Sequence, residues 1–281
     1  MLAITAPEAF SRPGWWFETK WDGYRAIISL GRRFAIYSRR GHNLMGWYPE
    51  LAQAEGDLPG DIVLDAELVA WSAGRPHFSD LQRRSAGQYL LMVFDCLYSE
   101  GRWLMHEPLA RRLEELHRRV ATRGVVAVSD GIHEKGAALF AAVREMELEG
   151  VMAKRLDSLY LPGRRSPAWQ KFLALKTEWC WVTGLAQADD GQWYWHVATH
   201  ADSGWQAMGK VRAPGGWNPP PSAGSRIQWV HPFLAQVAYR ERTREGHLRH
   251  ARVRQWKSSD IGAENPAPGE GPLPRSPDSP E

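Results

Sequence analysis

The chain has 281 residues, of which 43% are hydrophobic and 24% charged, and a formal net charge of +3 at pH 7; this is the balance of a folded globular protein, long enough for one large domain or two smaller ones. No stretch approaches the about 20 apolar residues of a membrane helix, Met1 to Phe10 lacks the basic start of a signal peptide, and two cysteines, Cys96 and Cys180, exclude a C-x-x-C metal site and point to a reducing cytoplasm. So small a net charge does not select a nucleic-acid partner, which leaves that question to local clusters.

In chain order, Ala26 to Leu30, Phe34 to Ser38, Ile62 to Ala70 and Tyr89 to Leu97 are rich in branched and aromatic residues and predict strands. Pro108 opens a predicted helix with Leu109, Leu113, Leu116 and Val120 on one face. A second helix is predicted from about Glu134 to Glu149, with Leu139, Val143 and Met146 inward and Gly150 as its stop. Past Glu178, five short strands are predicted, at Trp179 to Ala186, Trp193 to Thr199, Trp205 to Val211, Arg226 to His231 and Val237 to Arg242. Clusters of Gly, Asp and Pro separate them, and the pattern fits a small barrel of the OB type. The Pro/Gly-rich stretch 263–281 has no aromatic residue and is expected to be disordered. Most of the 15 tryptophans are expected in cores.

One short string carries chemistry. Lys20-Trp21-Asp22-Gly23-Tyr24-Arg25 is a K-x-D-G-x-R motif. A lysine amine attacks only when deprotonated, and its free pKa is about 10.4, so it needs cations or partial burial beside it. Glycine in the motif permits a close backbone approach. A second string, Gly204 to Lys210, has the G-x-x-x-x-G-K spacing of a P-loop. Val211 stands where the hydroxyl residue is required, and Arg212-Ala213-Pro214-Gly215 follows instead of a helix, so it is set aside. No serine elbow and no zinc pattern is present in the sequence. Arg240, Arg242, Arg244, Arg249, Arg252, Arg254 and Lys257 form a basic run suited to phosphate contacts without base readout, unless Glu241 and Glu245 simply balance it as a solvated face.

From Met1 through Glu18-Thr19-Lys20-Trp21-Asp22-Gly23-Tyr24-Arg25 and on to about Asp260, the chain resembles the nucleotidyltransferase superfamily of DNA ligases, RNA ligases and mRNA capping enzymes. It is most similar to the compact module of bacterial end-joining and stand-alone ATP-dependent DNA ligases. The resemblance implies an α+β nucleotidyltransferase (adenylation) domain over 1–176, a small all-β OB-fold domain over 177–262, and a tail over 263–281. It implies Lys20 as the AMP-lysine nucleophile, with Lys154 of Glu149-Gly150-Val151-Met152-Ala153-Lys154-Arg155 and Lys171 of Trp169-Gln170-Lys171 as catalytic phosphate ligands. Glu18, Arg25, Glu67 of Asp65-Ala66-Glu67-Leu68 and Phe94 beneath the purine are implied as nucleotide contacts, and Arg39 of Tyr37-Ser38-Arg39-Arg40-Gly41 as a contact to nucleotide or DNA phosphate. Glu149, Lys176 and Lys257 join them, and Glu67 and Glu149 are the implied ligands of Mg²⁺ (or Mn²⁺).

Two positions depart from the family pattern. Leu173 replaces the second lysine of W-x-K-x-K, with Lys176 as its substitute if the chain bulges. Lys257-Ser258-Ser259-Asp260 stands where the family has R-E-D-K, a signature that orients the pyrophosphate leaving group. Both point to slower self-adenylation. The implied activity is ATP-dependent sealing of 5′-phosphate/3′-hydroxyl nicks in double-stranded DNA, in DNA repair. The implied setting is a monomer in the cytoplasm, at the bacterial nucleoid when on DNA, off the membrane, and able to work with end-binding, polymerase or nuclease proteins. The barrel is expected to move about a hinge at Lys176 to Trp179. The rivals are an RNA ligase or capping-type enzyme, and a repair scaffold with impaired self-adenylation.

Overall fold

The computed structural model describes residues 1–85, 87–218, 227–243 and 245–257. They form two compact units that meet in sequence between Ala174 and Leu175. Among the described residues, no helix is long and apolar enough to cross a membrane. Arg226, Arg244, Ser259, Asp260 and the stretch 263–281 lie outside the described residues.

The first unit holds two sheets. One has the strand order Leu2–Thr5, Arg165–Leu173, Gly150–Arg155, Trp15–Thr19, Gly131–His133. The other runs Phe34–Ser38, Tyr24–Leu30, Ile62–Ser72, Gln88–Ser99, Arg102–Trp103, with Val126–Val128 parallel to Gln88–Ser99. Alternation explains how the second sheet serves two masters. Leu64, Ala66, Leu68 and Ala70 point into the main core with Ile28, Leu91 and Val93, so Asp65 and Glu67 must point the other way. Phe94 and Leu97 join Met1, Tyr160 and Trp169 in a separate cluster away from that core.

The chain passes from the first sheet to the second between Thr19 and Tyr24, so the K-x-D-G-x-R segment is the crossover itself. Its start is tied down, because the Lys20 amide donates to the Gly150 carbonyl at 2.8 Å. Its end is wedged, because a Cβ at Gly23 would overlap the carbonyl oxygen of Leu68. Only glycine lets the strand Tyr24–Leu30 begin that close to its neighbour.

The helix after Pro108 spans Leu109–Arg119, with Pro108 as its cap residue and Leu109, Leu113 and Leu116 buried. The second helix is shorter than its periodicity predicts. It spans Gly136–Glu145, and Met146, expected inward, is 64% exposed. Glu147 turns at φ 55°, and Gly150 does not stop a helix: it opens the strand Gly150–Arg155 at φ 155°, where a Cβ would overlap the carbonyl oxygen of Phe172. The apolar spacing of Leu139, Val143 and Met146 ran on past the point where the backbone turns.

The second unit is a closed five-stranded barrel. Its order is Lys176–Gln187, Trp193–Ala201, Gly204–Arg212, Arg252–Trp256, Gln228–Tyr239, which closes on the first strand. The predicted strands at Arg226 to His231 and Val237 to Arg242 fall mostly in one long strand, Gln228–Tyr239, while Glu241–Arg242 pairs separately with Leu248–Arg249. The strand runs through Pro232, which the fold accommodates where the register with Lys176–Gln187 shifts. The fifth strand, Arg252–Trp256, was hidden inside the basic run. The P-loop-like Gly204 to Lys210 lies within the strand Gly204–Arg212 and precedes no helix. Trp195 is fully buried at the barrel's centre, with Phe233, Trp217 and Trp256 edge-on around it. Residues 174 and 175 are the irregular link; the expected hinge at 176–179 is paired strand.

Candidate active site

The first unit contains a cleft of about 1140 Å³ lined by both sheets, with Lys20, Glu18, Arg25, Arg39, Glu67, Phe94, Lys154 and Lys171 on its walls. Lys20 lies where the crossover leaves the first sheet. Its Nζ meets Glu149 Oε1 at 2.5 Å, and the Glu149 side chain is only 7% exposed. The same short stretch, Glu149-Gly150, therefore holds the lysine by side chain and by backbone.

Behind Lys20 the antiparallel strands Trp15–Thr19 and Gly150–Arg155 place Met152 opposite Glu18 and Lys154 opposite Trp16. Glu18 and Lys154 reach each other across this register as a fully buried ion pair. Trp16 Nε1 also donates to Glu18 at 3.3 Å, and Lys154 donates to the Phe94 carbonyl at 3.4 Å. Burial pushes the Glu18 carboxyl up, and Lys154 pulls against that. The Lys154 ammonium also lies 4.3 Å from the ring centroid of Phe94 and 4.4 Å from that of Trp169, so a buried cation is held by one carboxylate and two aromatic faces.

Arg25 forms a two-pronged ion pair with the fully buried Asp65, whose Oδ2 also accepts from the Tyr160 hydroxyl at 2.7 Å. Burial pushes the Tyr160 hydroxyl up, and the Asp65 charge adds to it. The Arg25 guanidinium sits 4.8 Å from the Phe94 centroid. Asp65, Tyr160 and Trp169 were not singled out from sequence. The signals for Asp65 and Trp169 were present, since Asp65 shares a strand face with Glu67 two residues on and Trp169 opens the W-x-K-x-K string; Tyr160 had no comparable marker.

Glu67 pairs across the sheet with Arg25. Burial pushes its carboxyl up to about 7, against the pull of Lys20 and Arg25. A carboxyl that folding raises from 4.5 to about 7 favours the fold fully below its unfolded pKa, and that contribution is lost as pH rises through 7. Glu67→Gln removes the loss, so the variant is expected to gain on wild type between pH 5 and pH 8, by at most about 3 kcal/mol. Thermal melts at the two pH values test this; a difference that does not change with pH refutes it.

Lys171 faces the cleft from the strand Arg165–Leu173, opposite Met152. Leu173 ends that strand, opposite Gly150. Arg39 is exposed on the cleft wall. Lys176 and Lys257 belong to the second unit, where Lys176 opens the first barrel strand and Lys257 lies 5.4 Å from the Trp179 ring. In the basic run, Arg242 pairs with Glu178 at 2.5 Å and Arg249 with Glu241, which uses part of that charge internally.

Residues 1–172 match the family model described as ATP dependent DNA ligase domain. The chain is 35% identical over 197 residues to the multifunctional non-homologous end joining protein LigD of Mycolicibacterium smegmatis, a match that covers 68% of this chain and 26% of that protein. This chain thus spans about a quarter of the LigD relative. It is 28% identical over 275 residues to the SPbeta prophage-derived DNA ligase-like protein LigB of Bacillus subtilis, covering 92% of this chain and 98% of that one. The crystal structure of the ligase domain from M. tuberculosis LigD superposes with a TM-score of 0.59 at 29% identity, covering 94% of this chain and 97% of the other.

Proposed function

The chain belongs to the ATP-dependent DNA ligase family, and from that premise we propose that it seals 5′-phosphate/3′-hydroxyl nicks in double-stranded DNA through an AMP-lysine intermediate at Lys20. The observation that carries the reading is the placement of Lys20 in the cleft, clamped to Glu149-Gly150 beside the buried cation Lys154.

In the first step the Lys20 amine attacks the α-phosphorus of ATP; an N–P bond forms and the P–O bond to pyrophosphate breaks. The amine must first lose a proton, and the carboxylate that holds it, Glu149, is the nearest acceptor. In the second step the nick's 5′-phosphate takes the AMP from Lys20. In the third the 3′-hydroxyl attacks that phosphate and AMP leaves. Lys154 and Lys171 neutralise charge on the reacting phosphates from fixed positions, which is where preorganised cations contribute most. Arg25, locked on Asp65, and Phe94 shape the purine end of the cleft.

Glu67 and Glu149 would hold Mg²⁺ (or Mn²⁺), which supplies positive charge to phosphate oxygens. The donor set fits: two carboxylates flank Lys20, a hard cation takes one or two such ligands alongside phosphate oxygens, and Glu67's carboxyl, raised to about 7 by burial, gains from a cation beside it. Glu18 serves as the counter-charge that keeps Lys154 in place.

We read the first unit as the adenylation domain, to about residue 176, and the barrel, to about 262, as an OB-fold; a five-stranded closed barrel supports this. Lys176 and Lys257 stand as phosphate contacts on the family resemblance alone. The setting we propose is DNA repair in the bacterial cytoplasm, with end-binding, polymerase or nuclease partners.

The test is sealing of a labelled duplex with one nick, with ATP and Mg²⁺, on deoxyribo- and ribo-terminated nicks and on nicks already carrying AMP. Sealing of deoxyribo-nicks with ATP is expected. Preference for ribo-termini transfers the reading to an RNA ligase. Sealing of none of the three, with nick binding intact, leaves the scaffold reading.

A further inference from the structure

The mouth of the cleft carries a second constellation that the proposed phosphate chemistry does not use. Trp47 is 41% exposed, yet its backbone is firmly anchored. It closes the short turn Leu44–Gly46, which Asn43 caps by accepting from the Met45 amide at 3.0 Å and which the buried Leu44 pins to the core. The next residue, Tyr48, is buried and donates its hydroxyl to the Leu81 carbonyl at 2.9 Å. The fold thus fixes both sides of an indole that it leaves in solvent.

That indole is dressed with polar rings and cations. The His42 ring lies 5.6 Å from it at 39°, and the Arg84 guanidinium 5.4 Å from its centroid. Arg84 reaches this position from the cap of the helix Phe78–Arg83, where it takes a left-handed backbone at φ 55°. Arg39 and Arg40, at the tip of the turn closed by the Gly41 amide on Ser38, line the same cleft mouth as His42 and Trp47. Among the described residues no carboxylate lies within ion-pair distance of Arg39, Arg40 or Arg84. Some surface arginines of this unit are neutralised locally, as Arg111, Arg118 and Arg155 are by Glu114, Glu115 and Asp157; the three beside Trp47 keep their charge at the cleft mouth. Three guanidiniums without a carboxylate, around one flat apolar face, suit a ligand that alternates anionic and apolar groups.

We propose that His42, Trp47 and Arg84 extend the phosphate contact that the family resemblance implies for Arg39 into a track for the sugar–phosphate backbone of one DNA strand beside the nick, with a deoxyribose against Trp47 and a phosphate on Arg84. The assignment rests on the ligase reading of the adjoining site. Backbone contacts of this kind position a duplex without reading its bases, as sealing at any sequence requires. The terminal phosphates of ATP are the competing anion, and the two differ in which reaction step they affect.

The experiment uses the full chain and the variants Trp47→Ala, Trp47→Phe and Arg84→Gln, each checked for an unchanged melting temperature. AMP uptake from ATP is expected within about twofold of wild type in all three. The KM for nicked duplex is expected to rise about tenfold in Trp47→Ala and Arg84→Gln at nearly unchanged kcat. Trp47→Phe, which keeps an aromatic face, is expected to stay close to wild type. Arg84→Gln is also expected to lower the slope of log affinity against log salt by about 1. A titration of fluorescent nicked duplex without ATP measures the same site independently of turnover. Unchanged nick KM and Kd in both variants would overturn the proposal, as would AMP uptake falling in step with sealing, which would assign the cluster to the nucleotide. A wild type that takes up no AMP and seals nothing defeats the ligase reading instead, and the titration then decides this site alone.

Discussion

Incubated with ATP and Mg²⁺, the wild-type chain is expected to gain about 329 Da, one AMP, whereas Lys20→Ala gains nothing. The effect is expected to be a complete loss, because Lys20 is the cleft lysine held against the proton acceptor Glu149, whereas Lys171 faces the cleft from the strand Arg165–Leu173, beyond Gly150–Arg155 in the first sheet. Lys154 is sealed in its ion pair with Glu18 and is 1% exposed. The variant should still fold: the Lys20 backbone bond to Gly150 does not involve the side chain, which is 21% exposed. Glu149, nearly buried, loses the Lys20 ion pair in the alanine variant, so Lys20→Arg is the stricter control. It keeps a cation against Glu149, but its guanidinium is not deprotonated in proteins and cannot attack. Intact-protein mass and peptide mapping read the result. AMP on Lys20→Arg, or on any residue but Lys20 in wild type, would sink the assignment.

Arg112→Met is expected to destabilise the first unit by about 3–5 kcal/mol, the largest stability effect of any single change discussed. Arg112 and Asp95 are both fully buried and meet through two bonds, of 2.8 and 3.0 Å. Arg112 also donates to the carbonyls of Glu107 at 2.7 Å and Ser158 at 2.9 Å. Methionine fills much of the space but leaves Asp95 charged and unpartnered in the core, and most of the cost lies there. Asp95→Asn in the same chain removes that charge and should recover a good part of the loss. Urea unfolding of the two variants and the pair measures this. A single-variant loss below about 1 kcal/mol, or a pair no better than Arg112→Met alone, contradicts it. Asp95 follows Phe94 in the chain, so weaker nucleotide binding should accompany the instability.

The sequence was most legible where chemistry and backbone coincide. Lys20, Gly23, Glu149 and Lys154 stand in short strings whose spacing survives into space, because adjacent antiparallel strands put Glu18 and Lys154 within reach of each other. It was least legible where a partner distant in sequence decides. Tyr160 matters because Asp65, 95 residues earlier, accepts its hydroxyl, and no local pattern records that. The barrel shows the other failure. The stretch 232–236 shows no strand pattern of its own, yet pairing with Lys176–Gln187 carries the strand through Pro232 at a register shift, and Arg252–Trp256 hid its pairing behind a row of charges that belongs to its exposed face.

The crossover that carries Lys20 has a mechanical consequence. The residue is tied to Gly150 at its own amide, and three positions later the chain is jammed at Gly23 under the Leu68 carbonyl. Even if the first tie broke, three residues of extended chain span only about 10 Å. A lysine so leashed is no swinging arm. Loaded with AMP as proposed, it could not ferry that group from a loading station to a distant delivery point; whatever gives and whatever receives must each come to the same spot. Turnover in such a protein is a queue at a fixed counter, where one visitor must depart before the next is seated.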